Sequence, residues 1–204
     1  MGLHFSIEEF KSRKNNVIKK LKEEKIDALV MFRQESMYWL TGYDTFGYVF
    51  FQSLILDQKG NLILLTRAPD LRQARNTSNI EDIRIWVDKD DSNPTEDLKQ
   101  ILNELNLKDK NIGIEYEAYG LTGRNAINLN RSLENFCSLD DNSELITKLR
   151  VIKSPEEIVY VKKAAALADK ALNEVWKFAK KGVSESKILA EMNRVIFEGG
   201  GDYP

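Results

Sequence analysis

Apolar residues at helical spacing open the chain: Ile7, Phe10, Val17, Ile18 and Leu21 follow Ser6 and Glu9, which form a capping-box pair. The pattern predicts an amphipathic helix over 7–24. A short apolar run, DALVMF (27–32), then reads as a buried strand. YVFFQSLILD (48–57) is rich in β-formers and turns at DQKG into NLILLT (61–66), which predicts a hairpin. PDLRQARNT reads as a helix with Pro69 in its first turn, and DIRIWVD alternates like a strand. NPTEDLKQILNELNL starts with a cap and a proline and carries Leu98, Ile101, Leu102 and Leu105 as a helical stripe. NIGIEY, TGRNAINLNRSLEN and FCSLDD complete the alternation as strand, helix and strand. Strands alternating with helices of about ten residues, plus one hairpin, give an α/β layer with a mixed sheet flanked by helices, over residues 1–143.

From residue 144 the pattern is helical only. Ser154, Pro155 and Glu157 supply an N-cap, a first-turn proline and a capping box. Ile158, Val161, Ala165, Ala168, Leu172, Val175 and Trp176 carry the apolar stripe, with Lys180, Lys181 and Gly182 at its end. Ser184 starts a second helix through Ile188, Leu189, Met192, Val195 and Ile196. Two helices alone cannot bury both stripes, so residues 144–204 read as a linker and two helices that need a partner surface. The triple glycine at 199–201 reads as a flexible helix exit rather than a phosphate-binding loop, which would need a Lys-Ser/Thr pair between strand and helix.

Charge and composition narrow the function classes. Thirty basic and 32 acidic side chains leave a formal charge of −2, without the basic excess a nucleic-acid binder carries. The basic run KSRKNNVIKKLKEEK lies on the first helix among glutamates and reads as a solvated face. One cysteine, Cys137, rules out an internal disulfide and fits a reducing, cytoplasmic setting; it reads as a buried strand residue rather than a nucleophile. No apolar run approaches the ~20 residues a membrane span needs, so no membrane association is expected. Gly2 and Ser6 in MGLHFS fit a myristoylation pattern, one short enough to recur by chance.

Spacing alone marks out no active site. His4 is the only histidine available to a triad or a zinc site. The acidic loop DKDDSNPTED fails the calcium-loop test, since positions six and twelve hold Asn93 and Lys99 where Gly and Glu are required. YGLTGRN reads as a turn followed by an N-cap. The most unusual stretch is ESMYWLTGYDTFGYVFF, a loop-strand region with seven aromatics broken by Gly42 and Gly47. Phe50 and Phe51 read as core, whereas Tyr43, Asp44, Phe46 and Tyr48 flank the glycines and are the candidates for a ligand-facing role.

LRVIKSPEEIVYVKKAAALADKAL resembles the joint between the N-terminal and catalytic domains of the creatinase/prolidase/Xaa-Pro aminopeptidase (M24 metallopeptidase) family. MYWLTGYDTFGYVFFQSLILDQKGNLILLT resembles that family's (Y/W)LTG loop and central hairpin, RAPDLRQARNT the helix that follows, and EGGGDYP the stretch before the first catalytic-domain strand. The resemblance implies a ribonuclease H-like N-terminal domain, followed by the opening helices of a pita-bread catalytic domain cut just inside its start. It implies a homodimeric hydrolase of peptides or small amides, with two divalent metal ions (Mn, Co or Zn) bound by residues beyond this chain. On that reading the chain alone is inactive and holds no catalytic or metal-ligating residue. The loop bearing Tyr43, Asp44, Phe46 and Tyr48 is then substrate-adjacent. Creatinases place an arginine after the aromatic of this region; none occurs from Thr41 through Asp57, which speaks against creatine. MYWLTGYD with GGDYP is closer to the ectoine-hydrolase-like and uncharacterised peptidase branches. Two other readings stay open: a non-catalytic peptide- or protein-binding module with a peptidase-like fold, and a free-standing α/β small-molecule domain.

Overall fold

The computed structural model describes residues 3–202; the Gly2 of the myristoylation pattern, and Tyr203 and Pro204 of GGGDYP, lie outside the described residues. The chain forms two compact units, one through Ile152 and one from Lys153.

In the first unit, β1 (Ala28–Met31) is the hub of a six-stranded mixed sheet. It pairs antiparallel with β2 (Ser53–Asp57), which pairs antiparallel with β3 (Leu62–Arg67), and β3 runs parallel to the edge strand β4 (Asp82–Trp86). On its other side β1 runs parallel to β5 (Asn111–Ile114), which runs parallel to β6 (Ser138–Asp141). The period of two along each strand sorts side chains to two faces. Val30, Ile55, Leu65, Ile112 and Ile114 pack with Leu98, Ile101, Leu129 and Leu133 of α4 (Pro94–Glu104) and α5 (Gly123–Leu133). Leu29, Met31, Leu54, Leu56 and Leu64 face the other way. They meet residues of α1 (Ile7–Glu24), α2 (Gln34–Thr41), α3 (Leu71–Thr77) and α6 (Leu145–Val151). Leu145 and Ile146 therefore belong to the α/β core.

The local caps are those the residues dictate. Ser6 Oγ accepts from the Glu9 amide at 3.1 Å, and Asn93 accepts from Thr95 ahead of Pro94. Two segments differ from the sequence expectation. Residues 34–41 form α2, where a loop-strand region is expected, and Gly42 ends the helix at φ 81° with its amide on the Tyr38 carbonyl. The strand expected over 48–57 starts only at Ser53. Before it, Gly47–Val49 form a 3-10 turn, pinned by the Gly47 amide on Thr45 Oγ1 at 2.8 Å and the Phe50 amide on the Gly47 carbonyl at 2.9 Å. Gly47 is needed for a close approach: a Cβ there would overlap Gln52 Nε2 and come within 2.6 Å of Asp70 Oδ1.

The second unit is a helical pair, α7 (Pro155–Phe178) and α8 (Glu185–Glu198). Ser154 and Glu157 make the full reciprocal capping box. Of its described residues only Ala171 is a buried apolar, and Ile158, Val161, Leu172, Trp176 and Leu189 of the apolar stripes stay exposed, as two helices alone require. The triple glycine follows the end of α8, and Gly199 and Gly201 lie close against Leu167 of α7, where a Cβ would crowd the leucine methyls.

Candidate functional site

The chain leaves the carboxyl ends of β1 and β5 in opposite directions, to α2 on one face of the sheet and to α5 on the other. Such divergence opens a crevice at the strand ends, where open α/β sheets bind their ligands. A cavity of about 1030 Å³ lies there, walled by residues 32–35 after β1 and 117–120 after β5, with Tyr48, Val49 and Glu144.

Its wall is held by Arg33. The Arg33 guanidinium donates to the Glu117 carbonyl at 3.1 and 2.9 Å and to Thr147 Oγ1 at 2.6 Å, joining the start of α2 to the turn beyond β5 and to α6. Gln34 Nε2 donates to the Thr45 carbonyl at 2.8 Å and ties the same turn to the loop bearing Tyr48. Behind this wall sits Glu115, fully buried. Its Oε2 accepts the amides of Phe32 at 3.1 Å and Arg33 at 3.0 Å, and its Oε1 accepts from Ser36 Oγ at 2.6 Å. Burial pushes its carboxyl up to about 7, against the pull of Ser36, the two amides and the Arg33 charge. The sequence marks out no carboxylate pair and does not single out Glu115. The signal was a charged residue at the end of the apolar run NIGI, at a position that continues a buried strand.

The four residues singled out from the sequence separate. Tyr48 is 44% exposed and lines the cavity. Phe46, 78% exposed, stands at the start of the 3-10 turn, outside the lining. Asp44 is half-buried, with its amide on Thr77 Oγ1 at 3.1 Å. Tyr43 is fully buried, donates to Gln52 Oε1 at 2.8 Å, and has its phenol pushed up by desolvation. Its side chain is a core element, with no face for a ligand. Phe50, expected in the core, is 42% exposed and lies under the Arg67 guanidinium at 3.4 Å, while Phe51 is buried as expected. Arg67 in turn pairs with Asp70 and Asp88.

Cys137 is half-buried, and burial raises its thiol to about 11, so it is no thiolate at neutral pH. Among the described residues no group of three or more His, Cys, Asp or Glu could hold a metal ion, and no helix is long and apolar enough to cross a membrane.

A family model described as the creatinase/prolidase N-terminal domain matches residues 13–152. The chain is 29% identical to an ectoine hydrolase of Halomonas elongata, over 100% of this chain and 55% of the relative. It is 27% identical to an uncharacterised hydrolase/peptidase of Sinorhizobium fredii, over 98% of this chain and 53% of the relative. Among solved structures, a prolidase from Thermococcus sibiricus superposes with a TM-score of 0.76 at 21% identity, covering 94% of this chain and 50% of that one. A dipeptidase from Pyrococcus horikoshii gives 0.72 at 24% identity, covering 91% and 49%. The chain thus spans about half the length of the relatives it matches.

Proposed function

Because the chain belongs to the creatinase/prolidase N-terminal domain family, we propose that it is the cleft-shaping and dimerisation lobe of a hydrolase that cleaves amide or peptide C–N bonds. The observation that carries this reading is the cavity at the diverging ends of β1 and β5, with Tyr48 on its wall. Tyr48 is the residue assigned to the substrate, and Phe46 and Asp44, on the same loop, lie next to it in sequence. The helices from Ser154 onward are the opening of the catalytic domain. Relatives named as ectoine hydrolase, dipeptidase and prolidase make small heterocyclic amides and short peptides the substrates to try first.

Two divalent metal ions (Mn, Co or Zn) are assigned to the part of the longer relatives that this chain does not span. They would activate water for attack on the scissile carbon. The described residues do not fit such a centre, since they bring together no ligand set. What this lobe contributes is shape, charge and an aromatic wall.

The test joins residues 1–204 to the remainder of the protein and assays Xaa-Pro dipeptides and ectoine with each metal. Hydrolysis is expected from the joined protein and not from the chain alone. Tyr48→Ala should lower kcat/KM about tenfold, mainly through KM. A joined protein that hydrolyses neither substrate class with any of the three metals would overturn the proposal. The exposed run Phe46, Tyr48, Val49 and Phe50 favours a second reading, a non-catalytic peptide-binding module, which predicts peptide capture by the chain alone.

A further inference from the structure

Glu115 is a buried carboxylate with no cation of its own. The Arg33 guanidinium spends its donors on the Glu117 carbonyl and carboxylate and on Thr147. The carboxylate instead takes three neutral donors, and all three belong to one short segment, Phe32 to Ser36, where β1 becomes the first turn of α2. Its own amide donates to the Val30 carbonyl at 3.1 Å, extending the parallel ladder between β5 and β1. One side chain therefore fastens β5 to the turn that supplies Arg33 and Gln34 to the cavity wall.

We propose that Glu115 is a proton-operated latch on this wall: the carboxylate fastens the first turn of α2 to β5, and protonation slackens it.

The chemistry follows from the donors. A charged acceptor makes hydrogen bonds roughly twice as strong as a neutral one. A proton taken from solvent on Oε1 reverses the Ser36 bond, so the hydroxyl accepts where it donated, and Oε2 keeps both amides only as a neutral carbonyl oxygen. Burial holds the carboxyl at about 7, which places the change near neutral pH. The charged groups on the elements around it are Arg33 and Glu35 at the start of α2, Glu117 beyond β5, and Glu144 and Lys148 at α6, which line the cavities on either side of residue 117, with Lys20 and Glu24 on α1. Of these, Arg33 is the one whose charge acts on Glu115, and it favours the carboxylate. The latch is independent of which substrate the cavity takes.

The test is an NMR titration of the 204-residue chain from pH 5 to 9, following the Glu115 carboxyl carbon and the Phe32 and Arg33 amides. All three should share one midpoint near 7. Below it, protection of the two amides against exchange through local opening of the turn, in which Glu115 loses its donors but stays buried, should fall about three- to tenfold. Glu115→Gln reproduces the protonated form, with its amide nitrogen facing Ser36 and its oxygen facing the two N–H groups. It should abolish the titration and hold protection at the low-pH level. Should that variant fail to fold, Ser36→Ala keeps both amide bonds and removes one donor to the carboxylate, and should move the midpoint up. A Glu115 carbon that titrates in the ordinary carboxylate range overturns the latch. So do amides that ignore its titration, a Glu115→Gln chain that keeps the pH response, and a Ser36→Ala midpoint that stays in place.

Discussion

Glu115 links a single proton to the stability of the whole unit. Between about 4.5, where the unfolded carboxyl releases its proton, and about 7, where the folded one does, the folded chain keeps a proton that the unfolded chain has lost. Its contribution therefore falls as pH rises through that window, by at most about 3 kcal/mol, and is constant above it. Urea unfolding at pH 5 and pH 8 checks this: the difference between the two pH values should shrink in Glu115→Gln by about that amount. An unchanged difference would mean that the folded carboxyl ionises as freely as the unfolded one. Tyr43 offers a second measurement on a single side chain. Tyr43→Phe leaves Gln52 Oε1 without its donor in the core, at a cost of about 1–2 kcal/mol. Under the proposed function it should leave KM unchanged in the joined protein, in contrast to Tyr48→Ala.

The pairing of α1 with α2 depends on a buried cation. Arg13 is 3% exposed; it pairs with Glu9 at 3.0 Å, donates to the Trp39 carbonyl at 2.8 Å, and lies 4.1 Å from the Phe5 ring centroid. Arg13→Ala would remove a donor to the Trp39 carbonyl and the ion pair with Glu9, and should destabilise the chain by about 2–4 kcal/mol in urea unfolding. Lysine should not restore it, because an ammonium cannot meet the carboxylate, the carbonyl and the ring together as a planar guanidinium does. Sequence reading placed α1 to its last residue, yet left Arg13 within a run taken as a solvated face. Periodicity sees apolar positions, and a buried cation among exposed lysines breaks no period. The same limit hid α2. Eight residues with two aromatics and a β-branched end carry a weak helical period, and only packing of Met37, Trp39 and Leu40 on the sheet makes them a helix. The strand expected from residue 48 fails at Gly47, where a tertiary contact with Gln52 and Asp70 decides the backbone. By contrast β1, β3, α4, α5 and α7 carried caps or uninterrupted stripes, and their positions could be read directly. Of the cavity, the sequence showed Tyr48; the wall residues Arg33 and Glu117 come together only through the parallel pairing of β1 with β5.

At the scale of the whole molecule, the α/β unit closes its own core on both faces of the sheet, and the helical pair buries almost none of its stripe. The first is organised like a domain, whereas the second needs a further surface to cover Ile158, Val161, Leu172 and Leu189. A segment or partner that covers these residues should therefore stabilise the helical pair far more than the sheet.

The distribution of the three indoles gives the chain a built-in optical readout. Trp39 and Trp86 lie in opposite cores of the α/β unit, 8% and 6% exposed, and Trp86 donates its ring N–H to the Phe51 carbonyl at 3.0 Å. Trp176, on α7, is 72% exposed. Iodide should quench the red-shifted emission of Trp176 and spare the blue-shifted remainder, and Trp176→Phe should remove the quenchable part. Any partner or further segment that covers α7 would then announce itself as a loss of iodide access, with no label added and the sheet's own fluorescence serving as the internal standard.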